Sequence, residues 1–443
     1  MDLPERRWVK RCFVGVAETI TLTDFELTRF FFAIVVLLVF AHSLGYLFHR
    51  YKLPRVIGEI LGGLMLGPSV LGYIAPGIHN WLFNAYEGEG RLISIIYWFG
   101  LVLLMFISGF EMQKTFNRGD RKILVALILG ATVIPLIAGW IAPSIYDFSP
   151  YIGVKNNMLA LQIVIAVAVA VTSIPVISKI FIDLKIINTR FAKIVLTTAT
   201  VQDVLLWIAL AIATGLVSTV AVSVSSIIST TLITILFFGL TLFAMPQLIK
   251  LVNNLRYNLL IKSSVSGYVL FICFLFSAIA SILNVNIVFG AFLAGIVIGL
   301  MPDKTFEKEK KHIKEISLAF FIPIYFAIVG LKIDLIHHFD FRFFLGFLLF
   351  STLFETLGTL LAAKLIRIDN LSSFNFAVAM NTRGGPGIVL ATIAFDLGII
   401  NQTFFVTLVL IAIITSLMAG YWFRYVLARR WPLLSEESVE IPR

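Results

Sequence analysis

Charge is what this sequence has least of. Asp, Glu, Lys and Arg make up 14% of its 443 residues, where soluble domains carry roughly a quarter. With 59% hydrophobic residues, there is too little polar surface to cover the apolar bulk, and a water-soluble fold is excluded. Cysteine is nearly absent as well. Cys12 and Cys273 are the only two, so neither a disulfide framework nor a thiolate metal cluster can form, and both read as packing residues. His42, His49, His79, His312, His337 and His338 lie mostly near loops or predicted helix ends and read as solvated groups. No cleavable signal peptide is evident, because the first apolar run is interrupted by Glu18 and Asp24. No cofactor and no enzymatic activity are expected.

What the sequence does have is long apolar runs. Segments near residues 28–48, 53–75, 92–111, 122–145, 157–182, 191–217, 225–245, 265–283, 285–302, 315–333, 341–366, 372–396 and 402–428 match the roughly 20 residues that cross a hydrocarbon core. Backbone polar groups must be paired within lipid, so these segments are helices. The expectation is an all-α polytopic membrane protein of about thirteen transmembrane helices. It would comprise an extracytoplasmic or interfacial segment 1–27, a membrane domain 28–428 and a short tail 429–443.

A net charge of +10 invites nucleic acid as a partner until the positions are read. The basic residues concentrate in alternate loops, around 50–55, 114–122, 185–193, 250–262, 304–314 and 364–367, and after 424, whereas the opposite loops hold only Arg91, Lys155, Lys332 and Arg342. That is the asymmetry of a multi-pass protein whose first set of loops faces the cytoplasm. Membrane lipid, not nucleic acid, is the expected surroundings, in the inner (plasma) membrane of the cell. The C-terminus is then cytoplasmic and the N-terminus extracytoplasmic. Arg6, Arg7, Lys10 and Arg11 oppose this orientation and are outweighed by the later loops.

An internal repeat is written in small residues. Gly58, Gly62, Gly63 and Gly67 of the second segment fall opposite Gly290, Ala294, Gly295 and Gly299 of the ninth, at one constant offset. Ser108-Gly109-Phe110-Glu111 ends the third as Val329-Gly330-Leu331-Lys332 ends the tenth, and Thr172-Ser173-Ile174-Pro175 in the fifth answers Thr382-Arg383-Gly384-Gly385-Pro386 in the twelfth. The pairs are an odd number of helices apart, so the second repeat (265–428) is inverted relative to the first (28–217), with a linker helix at 225–245. Proline and glycine at matched positions predict two broken helices that cross near the bilayer midplane, the usual place of a transporter's binding site.

Into that region the sequence places Asp203, in Thr197-Thr-Ala-Thr-Val-Gln202-Asp203. An ionised group in lipid costs at least a few kcal/mol and is usually functional. Protonation and cation binding would therefore compete for one carboxylate, which is the chemistry of antiport. Thr172 and Ser173 offer oxygen ligands suited to an alkali cation. Gln202 can lend an amide oxygen, orient Asp203 or bond a neighbouring helix, but it exchanges no proton. Arg383 and Glu355 are expected to compensate the half-helix ends, as a pair. Glu59 reads as a packing residue.

These motifs resemble the bacterial monovalent cation:proton antiporter-2 family over nearly the whole chain. The specific match is Leu53-Pro-Arg-Val-Ile-Gly58-Glu59-Ile-Leu-Gly-Gly-Leu-Met-Leu-Gly-Pro68-Ser69-Val-Leu-Gly72. Gly109-Phe-Glu111, Gln202-Asp203, Phe289-Gly-Ala-Phe-Leu-Ala-Gly295, Phe321-Ile-Pro-Ile and Arg383-Gly384 support it in order and spacing. The resemblance implies a homodimer, a core domain moving elevator-fashion against a dimerisation domain, and an ion bound at Asp203. The Gln-Asp pair is similar to that of Kef-type potassium-efflux systems. Those continue into a cytosolic nucleotide-binding domain, whereas this chain ends about fifteen residues beyond its last helix, so nucleotide gating in cis is not expected and a separate regulatory subunit is a candidate partner. The tenth segment lacks a lysine between Glu315 and Lys332, and one titrating acid predicts electroneutral one-for-one exchange of K+ or Na+ for H+. The competing readings, a gated potassium pathway or a non-transporting ion sensor, need a filter or an output surface respectively, and no filter-like run is present.

Overall fold

The computed structural model describes residues 23–51, 53–84, 89–111, 120–218, 224–248, 259–301 and 304–435. Arg6, Arg7, Lys10, Arg11 and Cys12 lie outside the described residues. Among those described, the regular structure is helical, with one isolated antiparallel bridge between Ile152 and Ile400.

The helices start where short polar side chains can take up the first free amides. Thr23 and Glu26 form a capping box at the head of α1 (Asp24–Arg50), and Pro54 precedes α2 (Arg55–Leu66). After α3 (Glu89–Glu111) and α4 (Arg121–Ile145), Asn157 caps α5 (Met158–Ala170) and Ser173 caps α6 (Ile174–Asp183). Next come α7 (Arg190–Ser218) and α8 (Val224–Phe243), then α9 (Val265–Ile282) and α10 (Ile287–Gly299), capped by Ser264 and Asn286. The chain closes with α11 (Phe306–Leu331), α12 (Phe341–Leu365), α13 (Asn370–Met380), α14 (Gly384–Asp396) and α15 (Gln402–Ala428). Asp369 caps α13. Burial alone would raise its carboxyl, but bonds from Ser372 and Ser435 hold it below the ordinary carboxylate value.

Among the described residues, eleven helical stretches are long and apolar enough to cross a membrane. Two of the thirteen expected segments fall outside those eleven. The ninth is α10, of 13 residues, and the twelfth is interrupted between α13 and α14. Both are almost wholly enclosed by other helices, which lets short or broken backbone persist at membrane depth. Within α4 and α11 the ladder widens into a π-turn, at Leu129–Val133 and Ser317–Phe321. Pro135 and Pro323 lie just beyond these turns, and each lacks an amide and crowds the preceding turn.

The helices sort into two bundles. One comprises α1, α2, α3, α9, α10 and α11, the other α4 to α7 and α12 to α15, with α8 running between them against α7 and α10. Each bundle therefore draws helices from both sequence repeats.

The small-residue repeat is reproduced contact by contact. A Cβ on Gly58 would lie 2.4 Å from the Leu44 oxygen of α1, and one on Gly290 would lie 2.5 Å from the Phe276 oxygen of α9. On Gly63 it would meet Ala327 O of α11 at 1.7 Å, and on Gly295 it would meet Phe106 O of α3 at 2.1 Å. The third helices reciprocate, Gly330 against Ile60 O at 1.9 Å and Gly109 against Phe292 O at 2.2 Å. The second helix of each repeat thus packs on the third helix of the other, at matched residues, as an inverted pseudo-twofold requires.

Gly63→Ala and Gly330→Ala should each push two backbones apart. The expected cost is about 1–3 kcal/mol, the usual range for overpacking, seen as a lower thermal unfolding midpoint in detergent. Gly239→Ala, where nothing lies within 4 Å of the new Cβ, should leave the midpoint unchanged or slightly raised.

Candidate functional site

Two helix breaks cross at the centre of the second bundle. The first, Val171-Thr172-Ser173, separates α5 from α6; the second, Asn381-Thr382-Arg383, separates α13 from α14. Both are buried, so the carbonyls and amides freed by the breaks need protein partners. They find them in each other. The Ser173 amide donates to Thr382 O at 2.5 Å, and the Thr172 hydroxyl donates to Met380 O, the end of α13, at 2.5 Å. Ser173 Oγ accepts from the Val176 amide. Gly384 makes the crossing possible, since its φ of +32° suits glycine and a Cβ there would strike Val176 and Ser173.

Arg383 serves the remaining negative end. Its Nε and Nη2 donate to the oxygens of Ala168 and Val169 in the last turn of α5 at 3.3 and 3.2 Å, and Nη1 donates to Asn381 Oδ1 at 2.5 Å. Asn381 is itself tied to α12 through Thr352 O and Thr356 Oγ1. A fixed guanidinium fork thus neutralises a half-helix C-terminus. The expected pair of Arg383 and Glu355 is not joined by a hydrogen bond. They interact through charge, but both Glu355 oxygens are buried with no hydrogen-bond partner, because the guanidinium faces α5 carbonyls that cannot otherwise be satisfied.

Asp203 and Gln202 lie in the middle of α7, which packs on α4, α5, α6 and α13. The Gln202 amide donates to Ala131 O in the π-turn of α4 at 2.7 Å and to Ala170 O, the last residue of α5, at 2.5 Å. It therefore bonds neighbouring helices, and its oxygen is left without a partner. Asp203 follows immediately in sequence, is 5% exposed, and has one oxygen buried without a donor. Unpartnered hydroxyls occur also on Thr132, in the same π-turn, and on Thr198, one turn before Gln202. Thr197 and Thr200, in contrast, bond back to their own helix. Buried oxygens without donors are costly unless something electropositive joins them.

Sequence reasoning missed Thr132, Thr198 and Asn381. Thr198 was accessible through its four-residue spacing from Gln202, and Pro135 signalled an irregular turn in α4. Nothing in the sequence, however, placed Ala131 or Thr132 beside α7.

A cavity of about 330 Å³ opens between the bundles at the end that carries Arg55, Lys179 and Lys314. It reaches the first turns of α6 and α14 at Pro175, Val176, Gly385 and Pro386, and the buried Glu59 lines its wall. Lys314 is ion-paired with Glu111 at its mouth. The described residues contain no cluster of His, Cys, Asp and Glu able to hold a multivalent metal.

A family model described as sodium/hydrogen exchanger, transmembrane, matches residues 33–429. The chain is 26% identical over 406 residues to the Na(+)/H(+)-K(+) antiporter GerN of Bacillus cereus, covering 90% of this chain and 96% of that protein. It is 28% identical to K(+)/H(+) antiporter 1 of Saccharomyces cerevisiae over 88% of this chain and 45% of that longer protein. The fold matches the sodium proton antiporter MjNhaP1 from Methanocaldococcus jannaschii with a TM-score of 0.65 at 15% identity, covering 93% of this chain and 100% of that one.

Arg383→Lys keeps the charge but cannot donate to Ala168, Val169 and Asn381 together. It should destabilise the protein by about 2 kcal/mol or more, the scale of buried charge-assisted hydrogen bonds, measured as a fall in unfolding midpoint. Asn381→Ala should cost less, about 1 kcal/mol.

Proposed function

The chain belongs to the sodium/hydrogen exchanger family, and we propose that it exchanges K+ or Na+ for H+, one for one, with Asp203 as the shared binding site. The observation that carries this reading is a buried carboxylate with an unpartnered oxygen, next in sequence to the glutamine that caps α5 at the crossing of two broken helices.

A carboxylate in such surroundings is tolerated when neutralised. A proton does this covalently. A dehydrated alkali cation does it by coordination, with the free oxygens of Gln202, Thr198 and Thr132, and the lone pairs of Thr172, as the available hard ligands. Either ion leaves the loaded site with the same charge, which makes the exchange electroneutral. The empty, ionised site is the state that pays a desolvation penalty, so movement without an ion is suppressed.

The open cavity lies on one side of the crossing, and Asp203 is not among the residues that line it. The cavity beside Glu59 reaches the two half-helix N-termini from the basic end of the molecule, which the distribution of Lys and Arg assigns to the cytoplasm. Release to the other side requires the bundle bearing the crossing to shift against the bundle built from α1–α3 and α9–α11. Both bundles are glycine-tight inside, Gly130 of α4 against Gly358 of α12 as well as the contacts of α1–α3 and α9–α11, so each suits movement as a unit; in this reading the bundle without the crossing is the fixed, dimer-forming part. The contrast is physical: backbone-to-backbone contact within each bundle, and far looser packing between the two.

Purified protein in proteoliposomes should dissipate an imposed pH gradient when K+ or Na+ is added, with the same rate whether or not the membrane potential is clamped. Asp203→Asn should reduce exchange to the level of empty liposomes while the protein remains folded. Full exchange by that variant would sink the assignment of Asp203, and rates that follow the potential would sink the one-for-one stoichiometry.

A further inference from the structure

At the opposite end of the bundle interface three side chains from three helices meet. Lys332, directly after α11, places Nζ 2.7 Å from Asp396 Oδ1 at the end of α14. Tyr97 of α3 donates its hydroxyl to Asp396 Oδ2 at 2.5 Å. The Lys332 ammonium also sits over the Tyr97 ring, 4.0 Å from its centroid. Beneath them Tyr325 packs on Tyr97 with ring centroids 5.2 Å apart and bonds Thr392 of α14.

Position gives this cluster its meaning. Tyr97, Tyr325 and Lys332 belong to one bundle, whereas Asp396 and Thr392 belong to the other. The helices that line the open cavity, α3, α11 and α14, run on to this cluster, and along α14 the distance from Val389 in the cavity wall to Asp396 is about 10 Å. In that interval both tyrosines are buried, at 2% and 0% exposure. A smaller pocket of about 210 Å³ is lined by Trp98, Asn286 and Leu397, of which Trp98 and Leu397 are the sequence neighbours of Tyr97 and Asp396. Among the ion pairs seen between described residues, Lys332–Asp396 joins the two bundles; the others lie within one bundle or one loop.

We propose that Lys332, Asp396 and Tyr97 are the closure of the far face: positioning residues that hold the bundles together there while the cavity is open, and that part once in each exchange cycle. The proposal rests on the alternating-access reading above. The ion pair is partly exposed, at 29% and 15% for the two side chains, and pairs of this kind are weak. Such a closure can be released at each turnover. The two tyrosines supply the apolar seal that an ion pair alone would not.

The test uses the full chain in membrane vesicles of both orientations, with Cys12 and Cys273 replaced by Ala and a reporter Leu104→Cys at a partly exposed position of the cavity wall. A membrane-impermeant maleimide is applied to each side. The parent should label from the cavity side. Lys332→Gln and Asp396→Asn should lower labelling from that side and raise it from the far side by about threefold or more, the scale of one half-exposed ion pair. Tyr97→Phe should do the same to a smaller degree. The charge-exchanged double variant, Lys332→Asp with Asp396→Lys, should return both rates towards the parent. Unchanged labelling in all single variants overturns the closure. A parallel rise from both sides also overturns it, since that marks a loosened interface and not a shifted one. If the parent itself labels equally from both sides, the alternating-access reading fails, and the closure with it.

Discussion

A backbone break at membrane depth is the constraint around which this molecule is arranged. Interrupting a helix in a water-poor interior frees several carbonyls and amides, each of which needs a partner. Here the two breaks satisfy one another through Ser173 and Thr382 and through Thr172 and Met380. The last turn of α5 is completed from outside by Arg383 and Gln202. The crossing is therefore a closed hydrogen-bond system with a permanent positive charge built in. Asp203, one residue beyond Gln202, is the group that this system leaves unfinished.

A centre of this kind can move as a unit only if the surrounding contacts are unequal. Inside the bundle of α1–α3 and α9–α11, glycines bring backbones to distances that no side chain could occupy. Between the bundles lie an open cavity at one end and a small set of polar and aromatic contacts at the other. Close packing resists relative displacement because it has few alternative arrangements, whereas a half-exposed ion pair has many. Stiffness and looseness thus lie on different surfaces of the same fold, as the proposed alternating access would require.

Much of this was legible in the residues. The apolar runs gave helices, and matched glycines and prolines gave the inverted repeat and the two breaks. An acid alone in an apolar helix gave the candidate site, a carboxylate that is buried in the fold. Arg383 and Glu355, expected as a pair, interact through charge, while the hydrogen bonds of the guanidinium go to carbonyls of α5 that a side-chain pattern does not make visible. Thr132 was missed for the same kind of reason: a π-turn shifts which side of α4 faces α7, and regular helical periodicity does not foresee that shift.

By itself the sequence determined the solvent, the helical class, the repeat and the identity of the buried acid, since each follows from composition or from spacing along one chain. Only the tertiary structure decided how the helices are shared between two bundles, which oxygens of α7 and the π-turn of α4 stay free, and which end of the interface is open. Those depend on which backbone groups from distant segments reach one another first. Hydrogen bonds to main-chain atoms carry no residue-type signature, so a linear pattern cannot record them.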